Sequence, residues 1–152
     1  MDTNRTRLIG LSALAVLLAL VVSACGAATT PAPTTVNVEL KEWAVIPSQT
    51  SVPDGQVTFV VTNSGPADTH EFVVIKTDLD AFALRTDATG KVDENVAGIA
   101  VIGEIEDVAV GSTQTVTFDL APGKYALICN IYDEVELEAH YKQGMLVSFT
   151  VQ

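Results

Sequence analysis

Between Tyr125 and Met145 the chain reads YALICNIYDEVELEAHYKQGM, which brings a thiol, an imidazole and a thioether into one short segment as Cys129, His140 and Met145. A thiolate, two imidazoles and a weak axial thioether make a site for a soft metal, and the two sulfur donors favour copper. The second imidazole has to be His70, in the run DTHEFVVIK, because the chain holds two histidines. Each residue also has an ordinary use: Cys129 as a core thiol, His70 beside a turn, His140 on a solvated loop, Met145 as filler in a final strand. As a set they use both histidines, the one methionine after Met1, and the one cysteine other than Cys25.

The elements that must hold these residues read as all-β. QVTFVVTN alternates so that Val57, Phe59 and Val61 share a face, and Pro53-Asp54-Gly55 is a turn signal before it. VNVEL and EWAVIP suggest a first strand with a break near Pro47; EFVVIK, STQTVTFDL, GKYALICNI and GMLVSFTVQ supply further strands. Asn63-Ser64-Gly65-Pro66 and Ala121-Pro122-Gly123 mark turns between them. Short strands with turns at this spacing imply a two-sheet sandwich or barrel. Strand parity places Tyr125, Leu127 and Cys129 on one face, with Ala126 and Ile128 on the other.

Four stretches, GQVTFVVTNSG, HEFVV, LAPGKYALICN and HYKQGM, carry a family resemblance. Over Val36 to Gln152 the chain resembles the cupredoxins, small blue-copper electron carriers, with one upstream histidine followed by Cys, His and Met from a late loop. The spacing from His140 to Met145 is similar to that of rusticyanin and the copper nitrite reductases. The resemblance implies a Greek-key β-sandwich or barrel holding one type 1 copper ion. It implies His70, Cys129 and His140 as equatorial ligands and Met145 as the axial one. It further implies that His140 lies near the surface as the electron's exit, and that backbone amides near Glu71 and Asn130 donate to the thiolate. Ten residues separate Cys129 from His140, a longer gap than in most single-domain cupredoxins, and Glu71 stands where many members have Asn or Ser.

Residues 1–24 read as a lipoprotein signal peptide: Arg5 and Arg7 form a positive start, and Leu8 to Val22 is an apolar run too short for a comfortable membrane span. It ends in Val22-Ser23-Ala24-Cys25, which resembles a bacterial lipobox, so Cys25 is expected to carry lipid and residues 25–35 to form a Pro- and Thr-rich tether. More than one acyl chain gives stable anchoring. The ordinary alternative for Cys25 is a free or disulfide-forming cysteine. Residues 36–152 then form one domain, expected to be monomeric and extracytoplasmic.

Acidic residues number 19 against 8 basic ones, a net charge of -11. This excludes nucleic acid as a natural partner and suits either a basic redox protein, of cytochrome or oxidase type, or simple solubility. Asp133, Glu134, Glu136 and Glu138 alternate with Val135 and Leu137 inside the ligand loop, forming either a solvated turn or a docking patch. Residues 77–111 read as a loop crossing one end of the sandwich, with a short helix near Leu79 to Leu84. Glu104, Glu106 and Asp107 lack calcium-loop spacing and read as solvated.

Three functions fit: a membrane-tethered electron carrier, a lipoprotein for copper delivery or storage, and a metal-free interaction domain. The absence of Met or His clusters favours the first over the second. No Ser-His-Asp set or phosphate loop is present, and histidines for a second copper site are lacking, so the protein is expected not to be an enzyme.

Overall fold

The computed structural model describes residues 32–152. The expected signal peptide and the lipidation site Cys25 lie outside the described residues. Within them the chain forms β1 (Thr34–Lys41), β2 (Ala44–Pro47), β3 (Ser51–Val52), β4 (Gly55–Gly65), β5 (His70–Lys76), β6 (Ala100–Val108), β7 (Thr113–Leu120) and β8 (Gly123–Ile128). Then follow β9 (Tyr132–Asp133), β10 (Glu138–Ala139), one helical turn α1 (His140–Gln143) and β11 (Leu146–Val151). One sheet runs β2-β1-β4-β7 and the other β3-β11-β8-β5-β6; β9 and β10 make a separate hairpin. This is the β-sandwich expected from the sequence.

The inward faces of the two sheets share one core. Val57, Phe59 and Val61 on β4 are fully buried, as their alternation requires. The Phe59 ring lies 5.2 Å from Phe72 and 5.7 Å from Phe149 across the sandwich, and 6.4 Å from Phe118 within its own sheet. Tilted aromatic contacts of this kind hold the two layers in register.

The second sheet is also covered on its outer face, where Val73, Ile75, Ala126 and Ile128 pack against Ala81, Leu84, Val92 and Tyr141. A sheet buried on both sides reads as a continuous apolar run, which is why FVVI in β5 and YALI in β8 do not alternate. The segment after β5 therefore lies against a sheet face rather than crossing one end of the sandwich. Its helical part is a single 3-10 turn, Ala81–Ala83, capped by the Asp80 side chain. The Tyr141 hydroxyl donates to Ala81 O (2.6 Å) and accepts from Leu84 N–H (3.2 Å), tying this cover to α1.

Two expectations are corrected. The stretch does end at Pro47 as expected, but it is not one strand up to that point: it also turns at Glu42-Trp43, where Lys41 pairs with Ala44 and Val38 with Pro47, so the two halves fold into a hairpin. Residues 77–111 are not all loop, because 100–108 form β6 at the edge of the second sheet. Its pairing with β5 shifts register twice, so Ile105 and Val108 point inward three residues apart and no period of two survives in the sequence. Glu104, Glu106 and Asp107 lie exposed on this strand.

Gly103 on β6 sits where a Cβ would come within 2.5 Å of Cε1 of Phe118 on the facing sheet. Gly103→Ala is expected to displace that ring and cost about 1–3 kcal/mol, read as a lower urea midpoint at unchanged slope.

Candidate metal centre

Strand polarity assembles the site. β8 is antiparallel to both neighbours, β5 and β11, with Val73 and Leu146 each opposite Ile128. The end of β8 therefore meets the beginnings of both, at one pole of the sandwich. Cys129 follows β8, His70 begins β5 and Met145 precedes β11. The Cys129 N–H donates to Met145 O (3.0 Å), and the Met145 N–H to His140 O (3.1 Å), so the late residues are fixed by main chain.

The ten residues between Cys129 and His140 are absorbed by the β9–β10 hairpin, where Asp133 pairs with Glu138 and Tyr132 with Ala139. The His140 N–H then donates to Ile131 O at 2.9 Å, which returns the imidazole to the thiol. At the tip, Asp133 Oδ1 accepts from the amides of Val135 (2.6 Å) and Glu136 (2.9 Å), an Asx turn.

His70 Nδ1 lies 3.2 Å from His140 Nδ1, and Cys129 Sγ lies 3.4 Å from His140 Nδ1 and 4.0 Å from His70 Nδ1. Donors bound at about 2.0–2.3 Å in a trigonal plane stand about 3.5–4 Å from one another, so this triangle is the size that encloses one ion. Among the described residues, these three form the group of His, Cys, Asp and Glu that could hold a metal. All three are buried, and Met145, fully buried, shares the core cluster with Cys129.

The surroundings keep the donors neutral until an ion arrives. Burial pushes the Cys129 thiol up to about 12, against the opposing effect of the Glu71 and Ile131 amides. Burial lowers both His70 and His140, leaving their lone pairs free. The Glu71 N–H donates to Cys129 Sγ at 3.3 Å, as expected. The amide of Ile131, next to Asn130 in the chain, also favours the thiolate. The Asn130 side chain faces the cover instead, accepting from Val92 N–H (2.6 Å) and donating to Val92 O (3.1 Å) and Glu94 (2.8 Å).

Three contacts were not identified from the sequence. Asn63 is fully buried and bonds Asp68 O (2.7 Å), Val108 O (2.8 Å) and Gly65 N–H (2.8 Å), fixing the turn that leads to His70. Trp43, at the β1–β2 turn, packs edge-on to His140 with ring centroids 5.0 Å apart. That contact helps to bury His140, which is 1 % exposed rather than lying open at the surface. Glu42 accepts from the amides of Ala67 (3.0 Å) and Asp68 (2.7 Å) and places its carboxylate 3.7 Å from His70 Nε2.

Of the loop acids, Asp133 and Glu136 are close enough for their charge to act on His140. Glu134 and Glu136 are exposed and Asp133 and Glu138 half-buried, with Val135 and Leu137 projecting between them at 91 % and 71 % exposure. Repulsion from Glu138 raises the Glu136 carboxyl, a sign that the negative charges are close.

The chain matches the Cupredoxin-like domain family model over residues 12–147 and belongs to that family. Similar solved structures include dithionite-reduced auracyanin from the photosynthetic bacterium Roseiflexus castenholzii, at 25 % identity and TM-score 0.54, covering 80 % of this chain and 99 % of that one. Auracyanin A, a "blue" copper protein from Chloroflexus aurantiacus, shares the fold at 18 % identity and TM-score 0.53, over 80 % of this chain and 100 % of its own. Reduced rusticyanin does so at 16 % identity and TM-score 0.52, over 81 % and 82 %. No curated protein sequence matched. Cupredoxins bind one type 1 copper and are mostly electron carriers, and the buried His70, Cys129 and His140 with Met145 form the donor set such an ion takes.

Two pH effects follow. Because the thiol holds its proton up to about pH 12, ion binding at neutral pH must release it. The apparent copper affinity is expected to rise about tenfold per pH unit above the histidine range, measurable by competition with a chelator. Separately, burial and then Glu104 raise the Glu71 carboxyl to about 7. Stability from protonated Glu71 is complete below its unfolded value and is lost as pH rises through the folded one. Glu71→Gln is therefore expected to raise the denaturation midpoint at pH 8 and to change it little at pH 4.

Proposed function

We propose that the protein is an extracytoplasmic electron carrier, tethered to a bacterial membrane through lipid on Cys25 and exchanging single electrons with a basic redox partner. The observation that carries this reading is the convergence of the His70, His140 and Cys129 donor atoms in one sealed triangle at the pole of a rigid sandwich.

His70, Cys129, His140 and Met145 would hold the copper ion, the imidazoles and thiolate as its main donors and the thioether as a weaker one. When bound, copper supplies a one-electron couple. The chain contributes a thiolate whose sulfur accepts the Glu71 N–H, two imidazoles offering Nδ1, and a main chain hydrogen-bonded from Cys129 through Met145 to His140. That network holds the donors in one arrangement, so little has to move when the charge changes. Burial of every donor residue excludes water and suits a resident ion better than one delivered to another protein.

The ligand loop offers the docking face. Glu134, Glu136 and Glu138 surround the exposed Val135 and Leu137, a charged rim about an apolar tip that complements a basic partner. Trp43 and His140 lie in contact with one another on the same side of the fold as the loops that carry the donors.

Adding Cu(II) to the chain from Gly26 onward is expected to produce an intense thiolate-to-copper absorption band. Cys129→Ser should abolish it; a band of equal strength in the variant would reject the site. Replacing Glu134, Glu136 and Glu138 by Gln is expected to slow electron transfer to a basic cytochrome by about tenfold at low ionic strength and to have little effect in high salt. Rates indifferent to both changes would remove the docking role.

A further inference from the structure

The two imidazoles of the centre differ on the side away from the thiol. His70 Nε2 is buried with no hydrogen-bond partner, and so is Oε2 of Glu42. These orphaned atoms belong to facing groups, since Glu42 Oε1 stands 3.7 Å from His70 Nε2. Buried polar atoms without partners are rare and costly, and an adjacent donor and acceptor left open together call for an explanation.

Coordination supplies one. An imidazole that gives its Nδ1 lone pair to a metal must carry its proton on Nε2, and that N–H then needs an acceptor. For His70 the available acceptor is the Glu42 carboxylate. We propose that Glu42 is a positioning residue of the copper centre: it accepts the His70 Nε2–H, fixes that ring's tautomer and orientation, and places a negative charge that favours the oxidised ion. This rests on His70 being a copper ligand, as proposed above.

Glu42 is built to stay put. The Ala67 and Asp68 amides fasten its Oε1, and those residues belong to the turn that leads into His70. Its side chain is 11 % exposed, so water screens it poorly. Two main-chain N–H groups converge on one carboxylate oxygen, an arrangement that suits the charged form of the group. A carboxylate on the far nitrogen makes the imidazole a stronger donor, and loss of such a partner commonly changes metal affinity by about 10–100-fold.

The test compares the copper-loaded protein with its Glu42→Gln variant, which keeps an oxygen for the two amides but removes the charge. The variant is expected to retain the thiolate-to-copper band while its Cu(II)-to-Cu(I) affinity ratio falls about tenfold, a rise in reduction potential of about 59 mV. In the diamagnetic Cu(I) wild-type protein, nitrogen and proton NMR should show His70 Nε2–H protected from exchange and shifted downfield of His140 Nε2–H, with the shift lost in the variant. A retained band with unchanged potential and unchanged His70 resonance would overturn the role of Glu42 and leave the copper site standing. Loss of the band in wild type would instead remove the site itself. Should Glu42→Gln fail to fold, the wild-type NMR decides alone: a rapidly exchanging His70 Nε2–H rejects the proposal.

Discussion

Antiparallel pairing of β8 with both of its neighbours is the constraint on which the centre depends. A strand end has no partner of its own beyond the last ladder bond, yet here it is flanked by two strand beginnings. Residues distant in sequence, His70 and Met145, thus arrive beside Cys129 without any long-range contact chosen for them individually. The Phe59 cluster and the doubly covered second sheet keep those strands from sliding. A slip of one residue would turn the thiol to the opposite face.

The pole that results is electrostatically unusual. A thiol and two imidazoles are packed within a few ångströms of one another and cut off from water, where none can ionise easily. Outside them stand carboxylates: Asp68, Asp133, Glu42 and Glu136 all act on His140. An apolar, neutral interior ringed by negative charge is a poor place for an anion and a good one for a cation that brings its own charge. The structure stores this imbalance in rigid form, because Asn63, Asn130 and Tyr141 each bond main chain on separate segments around the pole.

Much of this is legible in the sequence, and the reasons differ by element. The donors are readable because they are scarce; with two histidines there is no choice to make. β4 is readable because one of its faces is buried and the other is not, so its pattern has a period of two. β6 is hidden because register shifts break that period. The β1–β2 hairpin is hidden because Glu42 and Trp43 carry no turn signature of Gly, Pro or Asn. That same turn delivers the carboxylate behind His70 and the ring beside His140, so missing the turn also meant missing both contacts. The burial of His140 was likewise hard to read, since Trp43, one of the side chains packed against it, lies far away in the chain.

The hairpin between Cys129 and His140 has an evolutionary side. It is closed by its own ladder and by the bond from His140 N–H to Ile131 O, so the two donors meet at its base whatever lies at its tip. Sequence drift at Glu134 to Leu137 can therefore alter the charge, length and apolar character of the outward surface while the inner residues stay where they are. The outward surface and the donor set can thus vary independently. If the tip is the docking face proposed above, a lineage could change partner by rewriting four residues without first having to rebuild its metal site.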